Sequence, residues 1–270
     1  MTRLNVVRIA DDTQKPELVL LHGWGANSAV WQPVLDNLAQ HFHLTCIDLP
    51  GHGDSEFSEH NTHTAETWAR AALEVAPGKA TWLGWSLGGL VAQNVARIAA
   101  ERVDKLILVA STFRFVMTTD WPDAMDEKTF STFHESVTDD PRGSLLRFIA
   151  LQTRGSESAS EDARRLRKTL LSPQPVAAAL NAGMHILLKT DMRKEARHIQ
   201  CPVMLLAGDH DTLVPVSAMT AMQKNFCSAD TWVIEHAGHA PFLSHPHAFV
   251  ENVLNFFRNS VEKSVKVKHG

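Results

Sequence analysis

The sequence predicts a doubly wound α/β fold, a mostly parallel sheet with helices on both faces and a helical cap inserted into it. Three observations carry this. Short, almost continuously apolar runs recur along the chain, as strands buried on both faces require. Amphipathic helical stretches alternate with them. The alternation lapses between about residues 112 and 200, where helical patterns follow one another without a strand.

Taken in order, the first strand is 18–21 (LVLL), which ends at His22-Gly23-Trp24-Gly25. A helix follows at 28–40, with Val30, Trp31, Val34, Leu35 and Leu38 on one face. The strand 44–47 (LTCI) runs into Asp48-Leu49-Pro50-Gly51-His52-Gly53. Thr62 or Thr64 then caps a helix carrying Trp68, Ala72 and Val75, with Glu66 in its first turn. The strand 80–83 (ATWL) enters Gly84-Trp85-Ser86-Leu87-Gly88-Gly89, and a helix over 87–100 leaves it directly. Strands at 105–109, 203–207 and 231–234 and a helix at 246–257 complete the pattern.

The cap helices are expected at 128–137, 144–153, 159–171 and 175–189. A stretch of that length is too long for a structureless loop. The expected division is a core of 1–111 and 201–258, a cap of 112–200 and a frayed tail of 259–270. Charge inside the cap is uneven: residues 120–140 hold seven acids and one Lys, whereas 141–168 hold seven Arg or Lys and three acids.

Composition narrows the function classes. The 270 residues are 44% hydrophobic and 21% charged, which excludes disordered, collagen-like and coiled-coil chains. A formal net charge of −4 gives no basic field for nucleic acid or an anionic membrane. Cys46, Cys201 and Cys227 are far apart with no CxxC, arguing against a disulfide framework and for a reducing compartment. The N-terminal stretch shows no signal peptide and no apolar run nears a membrane span, so a cytoplasmic protein is expected. There is no tyrosine, which removes one common acid, base and oxyanion donor.

The strongest chemical signal is Gly84-Trp85-Ser86-Leu87-Gly88, a G-x-S-x-G pattern between a strand and a helix. Such a turn lifts the serine hydroxyl above the sheet, while small residues at its ends let neighbouring backbone approach. A serine is a poor nucleophile alone and needs a base, itself oriented by a carboxylate. Two later loops at strand ends offer these: Gly208-Asp209-His210-Asp211 and Glu235-His236-Ala237-Gly238-His239. Asp209 and Asp211 compete, Asp211 having the apolar Leu213-Val214-Pro215 behind it as an anchor. His236 and His239 compete likewise, the tight turn around Gly238 favouring His239. A metal set of Glu235, His236, His239 and His210 matches no zinc spacing such as HExxH, and 15 His make chance clusters common. The backbone N–H groups of Leu87 and Trp24 suit an oxyanion hole, one at a helix start and the other in the turn after an early strand.

These residues resemble the α/β-hydrolase superfamily: HG-x-G, D-x-P-G-H-G-x-S at 48–55, the serine turn, then G-x-x-D and G-H. Within it the chain resembles the carboxylesterases that cleave pimeloyl-acyl-carrier-protein methyl ester in biotin synthesis. That likeness spans about residues 18–257 and rests on LLHGWG, DLPGHGDS, WLGWSLGGLVA, RFIALQT and HAPFLSHP. It implies a triad of Ser86, Asp211 and His239, no metal or organic cofactor, and an acyl carrier protein as partner. It also implies substrate contacts at Trp24, Ser86, Leu87, His239 and the cap residues Phe148, Ile149, Ala150, Leu151 and Gln152. Read without the likeness, Phe148, Ile149 and Leu151 are the core of a cap helix. In its light, Arg142, Arg147, Arg154, Arg164, Arg165, Arg167 and Lys168 gain a second reading, a basic face that steers an acidic carrier, beside that of a solvated helix face. The stretch 112–120, the basic tail and the distribution of cap arginines depart from the likeness. A monomer is expected. The competing readings are a general short-chain carboxylesterase, a C–C bond hydrolase with the same triad, and a non-catalytic receptor on the same scaffold.

Overall fold

The structure, a computed structural model, describes residues 2–11, 14–153, 159–170 and 173–267, with side chains throughout except at 168–170 and 260–267. Seven strands form one sheet: β1 (Val6–Ile9), β2 (Glu17–Leu21), β3 (His43–Ile47), β4 (Ala80–Trp85), β5 (Val103–Val109), β6 (Val203–Gly208) and β7 (Ala229–Ile234). Their order is β1-β3-β2-β4-β5-β6-β7, with β1 antiparallel to β3 and every other pair parallel. The order reverses at β2, so the loops leaving β2 and β4 open over the centre of the sheet, where ligands bind in open α/β folds.

Helices cover both faces, which is why β4 and β6 are buried along their whole length. Around the core run α1 (Gln32–Ala39), α2 (Ala65–Val75), α3 (Leu87–Ile98), α4 (Glu127–Asp139), α5 (Pro141–Gln152), α6 (Ala159–Leu170), α7 (Ala177–Lys189), α8 (Val216–Gln223), α9 (Pro241–Ser244) and α10 (Pro246–Val267). The helix expected over 28–40 divides into a 3-10 turn at Ser28–Trp31 and α1, which opens with proline in its first turn. Thr64, not Thr62, caps α2: its hydroxyl accepts from Thr67 N–H, and the Thr67 hydroxyl accepts from Thr64 N–H.

Helices α4 to α7 all lie between β5 and β6, where sequence periodicity loses its strands. Two acids of the acidic cap half have local duties there. Asp126 accepts from Thr129 N–H at 2.9 Å to cap α4, and Asp140 accepts from Gly143 N–H at 2.9 Å to cap α5. The last helix continues to Val267, through much of the stretch 259–270 expected to be a frayed tail. Three elements escape the sequence reading: β1, α8 and α9. Among the described residues, no helix is long and apolar enough to cross a membrane.

Candidate active site

Four loops at the carboxyl ends of β2, β4, β6 and β7 carry the residues singled out above. Ser86 sits at the turn from β4 into α3 with φ 55° and ψ −116°, a left-handed conformation that L-residues rarely adopt. Such a backbone costs roughly 1–3 kcal/mol and must be held by its surroundings. Here Ser86 N–H donates to Val109 O at 2.9 Å, and Ser86 O accepts from the Ser111 hydroxyl at 2.8 Å and from Gly89 N–H at 2.9 Å. The flanking glycines are obligatory for a steric reason. A Cβ on Gly84 would strike the Gly88 carbonyl, and one on Gly88 would strike the carbonyls of Leu21 and His22.

His239 is buried, and its Nδ1 lies 2.8 Å from Asp211 Oδ2. A carboxylate only accepts, so the hydrogen of this bond is carried by Nδ1. Asp211 is held in turn from behind: its Oδ1 accepts from Leu213 N–H at 2.8 Å and Val214 N–H at 3.0 Å. Asp209 is exposed, as is His236. His239 Nε2 is buried and has no hydrogen-bond partner among the described residues. His239 and Ser86 line the same cavity.

Two tryptophans brace this arrangement. Trp85 donates from Nε1 to His239 O at 2.8 Å, and Gln152 O accepts from His239 N–H at 3.3 Å. The histidine loop is thus gripped by a core strand on one side and by α5 on the other. Trp24, fully buried, donates from Nε1 to Leu180 O of α7 at 2.9 Å, and its ring meets Phe148 edge-on with centroids 4.9 Å apart.

Beneath the Trp24 loop lies a buried polar network that sequence reading had not resolved. His52 Nε2 accepts from Gly25 N–H at 3.2 Å, and its Nδ1 faces Pro50 O at 3.0 Å. His22 Nε2 accepts from Leu49 N–H at 2.9 Å, and its Nδ1 faces Gly23 O at 2.8 Å. Each ring therefore donates from Nδ1 and accepts at Nε2, which only neutral imidazole can do. Burial pushes His22 below its ordinary value and, with His22 beside it, takes His52 down to about 3. Burial opposes charge on Asp48 too, but His22 nearby and donors from Asn5 and Ser28 outweigh it and hold this carboxyl low. Ser28 N–H lies 2.6 Å from Asp48 Oδ1, and Asn5 Nδ2 lies 2.8 Å from Oδ2.

Ser86 and His239 open onto a narrow cavity of about 30 Å³. Its walls come from Phe130 and Phe133 of α4, Phe148 of α5 and Met184 and Leu187 of α7, with Phe115, Met125 and Leu213 from loops. Of the five consecutive cap residues expected to touch substrate, only Phe148 lines it. Ile149 is packed into the core, Ala150 is exposed, Leu151 is half-buried, and Gln152 serves through its carbonyl. The reason is geometric: successive helical residues turn by about 100°, so five in a row cannot face one cavity. The other walls lie on helix faces whose apolar spacing is the same as that of ordinary packing. Phe115 comes from the stretch that departs from the family likeness.

Arg142, Arg147, Arg164, Arg165 and Arg167 are exposed on α5 and α6; Arg154 lies outside the described residues, as does the side chain of Lys168. Arg147 donates to the Ser144 hydroxyl at 2.8 Å, and Arg165 pairs with Glu161 at 2.6 Å.

Comparison with known proteins bears on this geometry. Residues 16–246 match the family model described as the alpha/beta hydrolase fold. A pimeloyl-[acyl-carrier protein] methyl ester esterase of Pectobacterium carotovorum is 42% identical over 241 residues, covering 89% of this chain and 93% of its own. One of the same description from Klebsiella pneumoniae is 43% identical over 238 residues, covering 88% and 91%. Among solved structures, an esterase from Exiguobacterium antarcticum superimposes with a TM-score of 0.85 at 22% identity over 95% of this chain and 96% of its own. An enol-lactonase from Burkholderia xenovorans gives 0.83 at 18% over 95% and 97%. At these identities the two structures speak for the fold.

Proposed function

The chain belongs to the α/β-hydrolase family, and on that footing we propose that it is a serine carboxylesterase that hydrolyses the methyl ester of pimeloyl-acyl-carrier protein in biotin synthesis. The observation that carries this reading is the pairing of His239 with Asp211 at 2.8 Å, in a residue that lines the same cavity as Ser86. The relatives' activity gives the substrate.

In this reading His239 Nε2 takes the Ser86 proton as Oγ attacks the ester carbonyl. Charge on the carbonyl oxygen is met by the Trp24 and Leu87 N–H groups, the latter at the start of α3. The tetrahedral intermediate collapses, the imidazolium returns its proton to the departing methoxide, and methanol leaves an acyl-serine. Water, deprotonated by His239, then releases the carboxylic acid and restores the Ser86 hydroxyl. Asp211 keeps Nδ1 protonated and stabilises the imidazolium. None of these steps calls for a metal or organic cofactor.

The cavity that Ser86 and His239 share is narrow. Its apolar walls suit the methylene chain of the substrate, and Met125 and Met184 are unbranched side chains that repack readily around it. The exposed arginines of α5 and α6 provide a face for an acidic carrier protein.

Turnover of pimeloyl-carrier methyl ester, short nitrophenyl esters and vinylogous diketones tests the assignment. The carrier-bound ester should give the highest kcat/KM, Ser86→Ala should lower kcat by at least about four orders of magnitude, and the gene should restore biotin-free growth to a host lacking the esterase. Preference for a short ester or a diketone would replace the substrate assignment, and full activity of Ser86→Ala would remove the mechanism.

A further inference from the structure

The loops leaving β6 and β7 carry a second group of chemistry-bearing side chains on their outer surface. Asp209, His210 and His236 are all exposed, and one donor atom from each lies within 4.8 Å of the others. The two imidazole rings stand at 71° to each other with centroids 5.6 Å apart. Two imidazoles bound to one tetrahedral zinc, with Zn–N near 2.0–2.1 Å, would have ring centres roughly 5 Å apart. Small side-chain rotations therefore separate the observed arrangement from a ligated one.

The backbone beneath is already set. Asp209 N–H donates to Ile234 O at 3.2 Å and His210 N–H to Ala237 O at 3.0 Å, so the two loops are stitched together on either side of His236. His236 itself has φ 60°, in the left-handed region that histidine adopts more often than most L-residues. Ligands borne on a backbone held this way lose little freedom on binding an ion. His239 takes no part: it is buried and engaged with Asp211, and Glu235 lies outside the convergent group.

We propose that Asp209, His210 and His236 form a surface site for a divalent transition-metal ion of the zinc class, outside the catalytic cavity. Two imidazoles and a carboxylate favour zinc, nickel or copper over magnesium or calcium, which prefer all-oxygen shells. Asp209 precedes Asp211 by two residues and His236 precedes His239 by three. A bound ion would thus fasten the acid loop to the histidine loop from outside. The site stands independently of the proposed reaction, because binding is read without substrate.

The test is calorimetric titration of zinc into the full chain after chelator treatment, with thermal unfolding recorded with and without zinc. One zinc should bind per chain and raise the Tm. His210→Asn with His236→Asn should weaken binding at least tenfold and abolish most of the rise. His60→Asn, at an exposed histidine elsewhere, should change neither. Asp209→Asn removes one ligand while sparing both rings; it should weaken binding several-fold and serves where the double variant does not fold. Zinc binding that is undetectable, unchanged in these variants, or lost equally in His60→Asn would overturn the proposal and leave a cluster that makes only hydrogen bonds.

Discussion

Acidification should loosen the chain through His52, by an amount that its surroundings set. The ring is fully buried and its pKa is pushed down to about 3, whereas an unfolded chain protonates histidine near 6.5. Between those two values the unfolded state binds a proton that the folded state refuses. Stability therefore rises with pH through this window, is complete above about 6.5, and is lost as pH falls. From pH 7.5 to pH 5.0 this one residue should cost about 2 kcal/mol, and His22 acts in the same direction. Urea unfolding of the parent chain and of His52→Asn at the two pH values isolates the effect. The variant should start less stable by about 1–3 kcal/mol, because Gly25 N–H and Pro50 O lose a buried partner. It should then lose about 2 kcal/mol less on acidification, because the proton that unfolding adds to His52 is absent from the variant. Equal losses in the two chains would refute the neutral, buried imidazole.

Three further outcomes are expected. Asp211→Asn should depress kcat by orders of magnitude while Asp209→Asn, tested without added metal, leaves it nearly unchanged; the opposite ranking in steady-state assays would move the acid to the other residue. Gly183→Val should lower thermal stability by about 1–3 kcal/mol, because a Cβ there would lie 2.7 Å from Trp24 Cδ1; an unchanged melting curve would show that the indole has room to yield. Reversing the charge of Arg142, Arg164 and Arg167 together should raise KM for carrier-bound ester, most at low salt, and spare a small ester; equal effects on both would assign these side chains to an ordinary solvated helix face.

Much of this was legible from residue order because the informative features are local. Strands buried on both faces announce themselves as apolar runs, and a serine between glycines at a strand-to-helix turn has few other uses. β1 escaped because it is a half-exposed edge strand of four residues and shows no such run. The choice between Asp209 and Asp211 stayed open in the sequence because it depends on which carboxylate meets the Leu213 and Val214 amides and the His239 ring. The cavity walls were illegible for a different reason: Phe130, Phe133, Met184 and Leu187 follow helical spacing, and that spacing is the same whether a side chain meets a neighbour or a substrate. Trp85 read as a family signature alone, and its grip on the His239 carbonyl needs the third dimension.

Trp24 belongs to two parts of the molecule at once. Its peptide lies in the loop between β2 and α1, while its indole is tethered to the Leu180 carbonyl of α7 and wedged against Phe148 of α5. Any swing of the cap that admits a bulky acyl group must either snap that tether or drag the loop with it. Under the proposed reaction, in which the Trp24 amide meets the oxyanion, seating the acyl group and shaping that corner are then coupled.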